Sequence, residues 1–211
     1  DEESIRRLGQ WPWPRTQIAQ LEQRLGDAGA ALIALDIVFS EPDRTSPQVL
    51  QRQMKRELQV DITFQGLPPG LEDNDQVLAG VLASGPFVLG YNFTDTATRA
   101  QGPPCAVRPG NVAVLAGPDA LKPEQCLHQA REMICPYPLL AEAAPACGFF
   151  TTSSDQDGVL RRVPLLVAWQ GGYYPSLALA TLMQAAGIKN AVLKLGPGGA
   201  ESLRVGPTVI P

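Results

Sequence analysis

The chain has 211 residues, 45% of them apolar and 18% charged, with a formal net charge of −4. That suits one sizeable domain with a real core and is short for two. Twenty glycines and twenty prolines punctuate apolar runs without any period, which argues against a disordered chain, and the absence of a basic cluster counts against nucleic-acid binding.

Pro12-Trp13-Pro14-Arg15 opens the first predicted helix, because proline suits a first turn whose N–H groups lack partners anyway. Ile18, Leu21, Leu25 and Ala28 recur at helical spacing, and Gly26 or Gly29 can close the segment. Ala31 to Phe39 follows as a continuous apolar run carrying Asp36, and such a run predicts a central strand covered on both faces. Ser40 to Pro47 reads as loop and Gln48 to Leu58 as a polar helix, while Asp61 to Leu71 has no clear pattern. Asp73 or Asn74 caps a helix whose face is Val77, Leu78, Val81 and Leu82. Phe87 to Tyr91 is the next strand, so the order of elements points to parallel pairing through right-handed crossovers.

Thr94 to Cys135 holds three of the four cysteines and reads as a cysteine-stapled insertion (about 94–135). Leu139 to Ala144 is a short helix and Gly148 to Thr151 a strand. Asp155-Gln156-Asp157-Gly158 is a turn, and Val163 to Trp169 a strand ending near the reversal Gly171-Gly172. Ser176 to Ala186 is a helix capped by Ser176 and stopped by Gly187. Val192 to Leu195 and Leu203 to Val205 are short strands about the Gly196 to Gly199 turn. The predicted fold class is α/β: three layers, a mainly parallel central sheet with flanking helices, and antiparallel strands towards the C-terminus, in a single domain over 1–211.

Cys105, Cys126, Cys135 and Cys147 are even in number and confined to one stretch. Zinc would want closely spaced pairs or histidine partners, and the lone His128 supplies neither. Two disulfides are therefore expected, which places the domain in an oxidising compartment. Three connectivities are open; short local loops favour Cys105–Cys126 with Cys135–Cys147.

No apolar stretch reaches the roughly 18–20 residues needed to cross a bilayer, and Asp1-Glu2-Glu3 does not begin a signal peptide. The end on Val209-Ile210-Pro211 reads as a strand in mid-course, so a piece of a longer polypeptide is expected.

The common catalytic signatures are missing. There is no nucleophile elbow, no P-loop and no dinucleotide fingerprint after a strand, and Asp155-x-Asp157-Gly158 lacks the downstream ligands of a calcium loop. No cofactor and no metal site is expected. What remains is a set of charges at predicted strand ends: Arg15, Asp36, Glu41, Asp155, Asp157, Arg161 and Arg162. In open α/β sheets ligands favour the carboxyl ends of the strands; the alternative is that these charges pair and fix loops. Asp36, read as buried, needs Arg15, Arg161 or Arg162 within hydrogen-bonding reach.

Three segments carry a family resemblance: Glu3 to Arg15, Gly29 to Pro42 with its Asp36-Ile37-Val38-Phe39-Ser40-Glu41-Pro42 core, and Asp155 to Leu165. The helix start Ser176-Leu177-Ala178-Leu179 follows in order. Together they resemble the second class of CHASE domains, sensory extracellular modules associated with cyclases and histidine kinases. The resemblance implies a periplasmic domain tethered to the membrane, with an N-terminal transmembrane helix before it and an adenylate or guanylate cyclase, histidine kinase or serine/threonine kinase as output. It implies that Asp1 ends a strand whose body lies upstream, and that a segment returning to the membrane follows Pro211. It names no binding residues. Partners on this reading are a small molecule or periplasmic protein, and a second copy in a homodimer. Two other readings compete: a secreted or periplasmic α/β hydrolase using carboxylates such as Asp36 and Asp157, and a purely structural dimerisation ectodomain.

Overall fold

The structure is a computed structural model and describes residues 2–96, 105–152 and 157–211. α1 (Glu2–Leu8) buries no residue, and the chain turns at Gly9, whose φ of +86° favours glycine. α2 (Arg15–Asp27) starts directly after Pro14 and ends at Gly29 in a Schellman motif. Gly29 N–H donates to Gly26 O and Ala30 N–H to Leu25 O, with Gly29 at φ +90°. The buried face differs from the expected one. Arg15, Ile18, Ala19 and Glu22 point inward, while Leu21 and Leu25 are 46% and 40% exposed. Arg15 is held by a buried polar network, and helical periodicity then carries Ile18, Ala19 and Glu22 to the same side.

β1 (Ile33–Leu35) is far shorter than the run Ala31 to Phe39. α3 (Pro47–Leu58) buries nothing and closes on Gln59 in the left-handed region. α4 (Asn74–Ser84) is capped by Asp73, which accepts from Asp75 N–H, and buries Leu78, Val81 and Leu82 as expected. β2 (Phe87–Thr94) follows with its first five residues all buried. Then come β3 (Asn111–Ala116), α5 (Pro123–Cys126), β4 (His128–Gln129), β5 (Glu132–Ile134), α6 (Pro138–Ala143) and β6 (Ala146–Phe149). β7 (Leu166–Trp169) and β8 (Gly172–Pro175) form a hairpin over Gln170 and Gly171, both at positive φ. α7 (Leu177–Ala185) is capped by Ser176 and ends on Gly187. β9 (Asn190–Gly196), β10 (Gly199–Val205) and β11 (Thr208–Ile210) complete the described elements.

The described strands form three mixed sheets, where one mainly parallel sheet was expected. In the first, β2 is central: β1 and β6 pair with it in parallel and β5 antiparallel. β1 is thus a short edge strand and not the centre of the sheet. Its extension is cut off because Asn92 to Thr94, beyond its end, pair with β5 instead. The second sheet runs β11-β10-β9-β3, antiparallel towards the C-terminus as predicted, with β3 parallel to β9. β3 therefore builds the stretch expected as an insertion into a sheet of the fold. The third sheet is β4-β7-β8.

The core falls into three clusters, of which the second is shared by the first and third sheets. α2, α4 and α6 cover the first with Ile18, Leu78, Leu82, Leu89 and Leu140. Further along β2, Phe93 makes edge contacts with Tyr91, Phe149 and Tyr174 at centroid distances of 5.6, 5.6 and 5.7 Å, geometry that aromatic quadrupoles favour. Leu179, Leu193, Leu195 and Val205 fill the third cluster.

One disulfide forms, Cys105–Cys135, with a sequence separation of 30. This corrects the expected pairing. Cys126 packs in the third cluster and Cys147 between the first two, so the two remaining thiols belong to different parts of the core and stay free. Burial pushes the Cys147 thiol up to about 12, which keeps it protonated and unreactive.

Candidate functional site

α2 and α4 begin where β1 ends, and the loop from Phe39 to Ser46 runs across both helix starts. Asp43, at the centre of that loop, is buried. Its Oδ2 accepts from Arg15 N–H at 2.7 Å and Asn74 Nδ2 at 3.0 Å, and its Oδ1 from Thr45 N–H at 2.8 Å and Thr45 Oγ1 at 2.7 Å. Pro14 offers α2 no side-chain cap, so Asp43 supplies one from another part of the chain. Asp43 N–H in turn donates to Asp75 Oδ2 at 2.7 Å, and Asn74 N–H to the buried Ser46 Oγ at 3.0 Å.

Arg15 completes the network. Its Nε lies 3.3 Å from Asp75 Oδ1, its Nη2 donates to Glu41 O at 3.2 Å, and its guanidinium carbon sits 4.2 Å over the Phe39 ring. Nη1 has no partner among the described residues and is not among the buried unpaired atoms, so it still meets solvent. Burial alone would raise the Asp43 carboxyl, but the donors from Arg15, Thr45 and Asn74 outweigh it and hold it below its ordinary value. At Asp75 burial prevails over the Asp43 N–H and the Arg15 charge, and the carboxyl rises above the usual range.

A cavity of about 530 Å³ opens over this network. Trp11, Trp13 and Phe39 supply aromatic wall, and Arg15, Glu41 and Arg44 supply charge. The two indoles meet edge to face at 5.3 Å, and Trp13 Nε1 donates to Gly9 O at 2.9 Å. A second cavity, of about 540 Å³, includes Arg108, Glu142, Cys147 and Lys189 in its wall, and a third, of about 240 Å³, includes Cys126 and His128. Neither is lined by a buried charged side chain.

Of the residues singled out from sequence, Arg15 and Glu41 meet at this cavity. Asp36 does not behave as expected: the chain leaves the sheet after Leu35, Asp36 is exposed, and among the described residues it has no hydrogen bond or ion pair. Of the three arginines expected as its partners, Arg15 turns its guanidinium to Asp75 and Glu41 O, and Arg161 pairs with Asp157. Asp157 and Arg161 form a bidentate pair at 2.9 and 2.8 Å on the surface, and Arg162 is exposed. None of the three lines the cavity. Asp155 lies outside the described residues. Sequence reasoning missed Asp43, Asn74 and Asp75. The signal was present as two short polar clusters, Asp43 to Ser46 and Asp73 to Asp75, which read locally as loop and cap. Among the described residues no cluster of histidine, cysteine or carboxylate side chains could hold a metal ion, and no helix is long and apolar enough to cross a membrane.

The chain is thus a mixed α/β domain with a charge-anchored cavity beside the end of β1. A family model, the CHASE2 domain, matches residues 1–209, and the chain belongs to that family of sensor domains, which are sensory and not catalytic and occur in extracytoplasmic regions associated with cyclases and kinases. Searches of curated proteins and of solved structures found no match.

Proposed function

We propose that the chain is a single ligand-sensing domain on the periplasmic face of a membrane-anchored signalling protein, with a cyclase, histidine kinase or serine/threonine kinase as output, and that its ligand occupies the cavity over Arg15. Family membership supports the sensory role. One observation carries the choice of cavity: a buried guanidinium, fixed on three sides, keeps Nη1 open to it. The network behind it ties the starts of α2 and α4 to the loop after β1, so a change in what Arg15 contacts acts on three elements at once. A ligand that binds the folded state alone raises its melting temperature. Screening soluble metabolites by thermal shift against wild type and Trp11→Ala tests the site; the reading expects a stabiliser of the wild type whose effect the variant loses. A full screen with no stabiliser favours a structural ectodomain. Location is tested separately by adding protease to intact spheroplasts carrying the full-length protein. Cleavage of the domain is expected, and protection there, with cleavage only after lysis, contradicts a periplasmic site.

A further inference from the structure

We propose that the cavity over Arg15 takes a small organic carboxylate with an aromatic or cyclic apolar body, a proposal that rests on reading this cavity as the ligand site. Arg15 is only 8% exposed, and arginine does not lose its proton at physiological pH. Its Nε faces Asp75, one Nη2 hydrogen goes to Glu41 O, and one ring face is spent on Phe39. Nη1 keeps both of its hydrogens and Nη2 keeps one, so the guanidinium retains donors on two nitrogens. Donors on two adjacent nitrogens suit the two oxygens of a carboxylate.

The surrounding charges agree. Arg44 lines the same cavity, is exposed, and has no partner among the described residues. Asp43 spends both oxygens on four donors and offers nothing to a ligand. Asp75 stands behind the guanidinium on the Nε side and does not line the cavity. Glu41 is the one other carboxylate lining the cavity, and it is exposed. Free donors remain on Arg15 and Arg44, while of the two carboxylates lining the cavity only Glu41 keeps its acceptors free, so hydrogen bonding there favours an acid over an amine.

The body of the ligand follows from the walls. Trp11 is 41% exposed, and Trp13 has already committed its N–H to Gly9 O, so both indoles present apolar surface. A volume of about 530 Å³ lies within the range of roughly 300–1,000 Å³ usual for small-molecule sites. The geometry therefore pairs an acid-binding floor with an aromatic wall.

The experiment is calorimetric titration of the purified chain at pH 7.5 with four probes: phenylacetate, phenethylamine, benzyl alcohol and acetate. Phenylacetate is expected to bind, with phenethylamine, benzyl alcohol and acetate each at least about tenfold weaker, as loss of a charge-assisted bond or an aromatic contact implies. Arg44→Ala and Trp11→Ala change exposed side chains, so the unliganded melting temperature should hold while phenylacetate affinity falls about tenfold in each. Phenethylamine binding as tightly as phenylacetate, with the affinity lost in Trp11→Ala, overturns the carboxylate and leaves the site standing. Binding by none of the probes, or phenylacetate binding indifferent to both substitutions, overturns the ligand class and the site together.

Discussion

Asp43 and Glu22 are both buried carboxyls, and they respond to acid in opposite directions. Asp43 is held below its ordinary value by four donors, so its contribution is complete above the unfolded pKa of about 3.9 and is lost as pH falls through the lower folded value. Asp43→Asn should cost about 2–4 kcal/mol at pH 7, the sum of a cap and a disrupted network. Urea titrations should show that cost shrinking at pH 3; a cost that stays the same would mean that charge is not its source. Glu22 is 2% exposed on the inner face of α2, and its Oε2 has no hydrogen-bond partner among the described residues. Burial raises its carboxyl, so the folded state tolerates it best below the unfolded pKa and loses stability as pH rises through the folded value. Glu22→Met keeps the volume and removes the stranded oxygen. It should stabilise the domain by about 1–3 kcal/mol at pH 7.5, with little gain at pH 3.5, and a destabilised variant would reveal a partner for Glu22.

Elements here are joined by close approaches that single atoms control. A Cβ at Gly148 would stand 2.5 Å from Leu177 Cα, where β6 meets the start of α7. Gly148→Ala should therefore destabilise by about 1–3 kcal/mol through overpacking, readable as a lower urea midpoint at constant slope; an unchanged midpoint would mean that α7 can withdraw at no cost. The bridge Cys105–Cys135 joins the segment before β3 to the end of β5. Thiol titration under denaturing, non-reducing conditions should find two free groups, Cys126 and Cys147; none or four would contradict the pairing. Cys105→Ser should cost about 2–4 kcal/mol, the usual value for closing a loop of this size. Helix ends were legible in sequence because glycine stops are local: Gly29 and Gly187 close α2 and α7 as read. Cysteine pairing was not, since which sulfurs meet depends on how β5 lies along β2.

Across the whole molecule, stability should follow burial. β2 is enclosed along most of its length, and β9 lies between β3 and β10, whereas α1 and α3 bury no residue. Amide hydrogen exchange should accordingly be at least about a hundredfold slower in β2 and β9 than in α3. Equal protection in α3 would mean that it docks on a surface the isolated chain does not show. The candidate site is also a property of this scale, because Arg15, Asp43 and Asp75 meet in it from widely separated positions in the chain.

What the sequence determined by itself is whatever depends on neighbours along the chain. The starts and stops of α2 and α7, the cap and inward face of α4, the antiparallel strand pair about Gly196 to Gly199 and the family-bearing segments were all readable in advance. Only the tertiary structure decided which apolar run became the centre of a sheet, and the reason is competition for one partner. Ala31 to Phe39 has the composition of a buried strand, but β5 takes the flank of β2 beyond Leu35, and the rest of the run turns away to form the cavity wall. The same holds for charge. Asp36 looked buried because its neighbours in sequence are apolar, yet it is Asp43, from an unremarked loop, that meets the open end of α2. A helix that begins on proline cannot cap itself with that side chain, and only the folded chain brings the carboxylate that does.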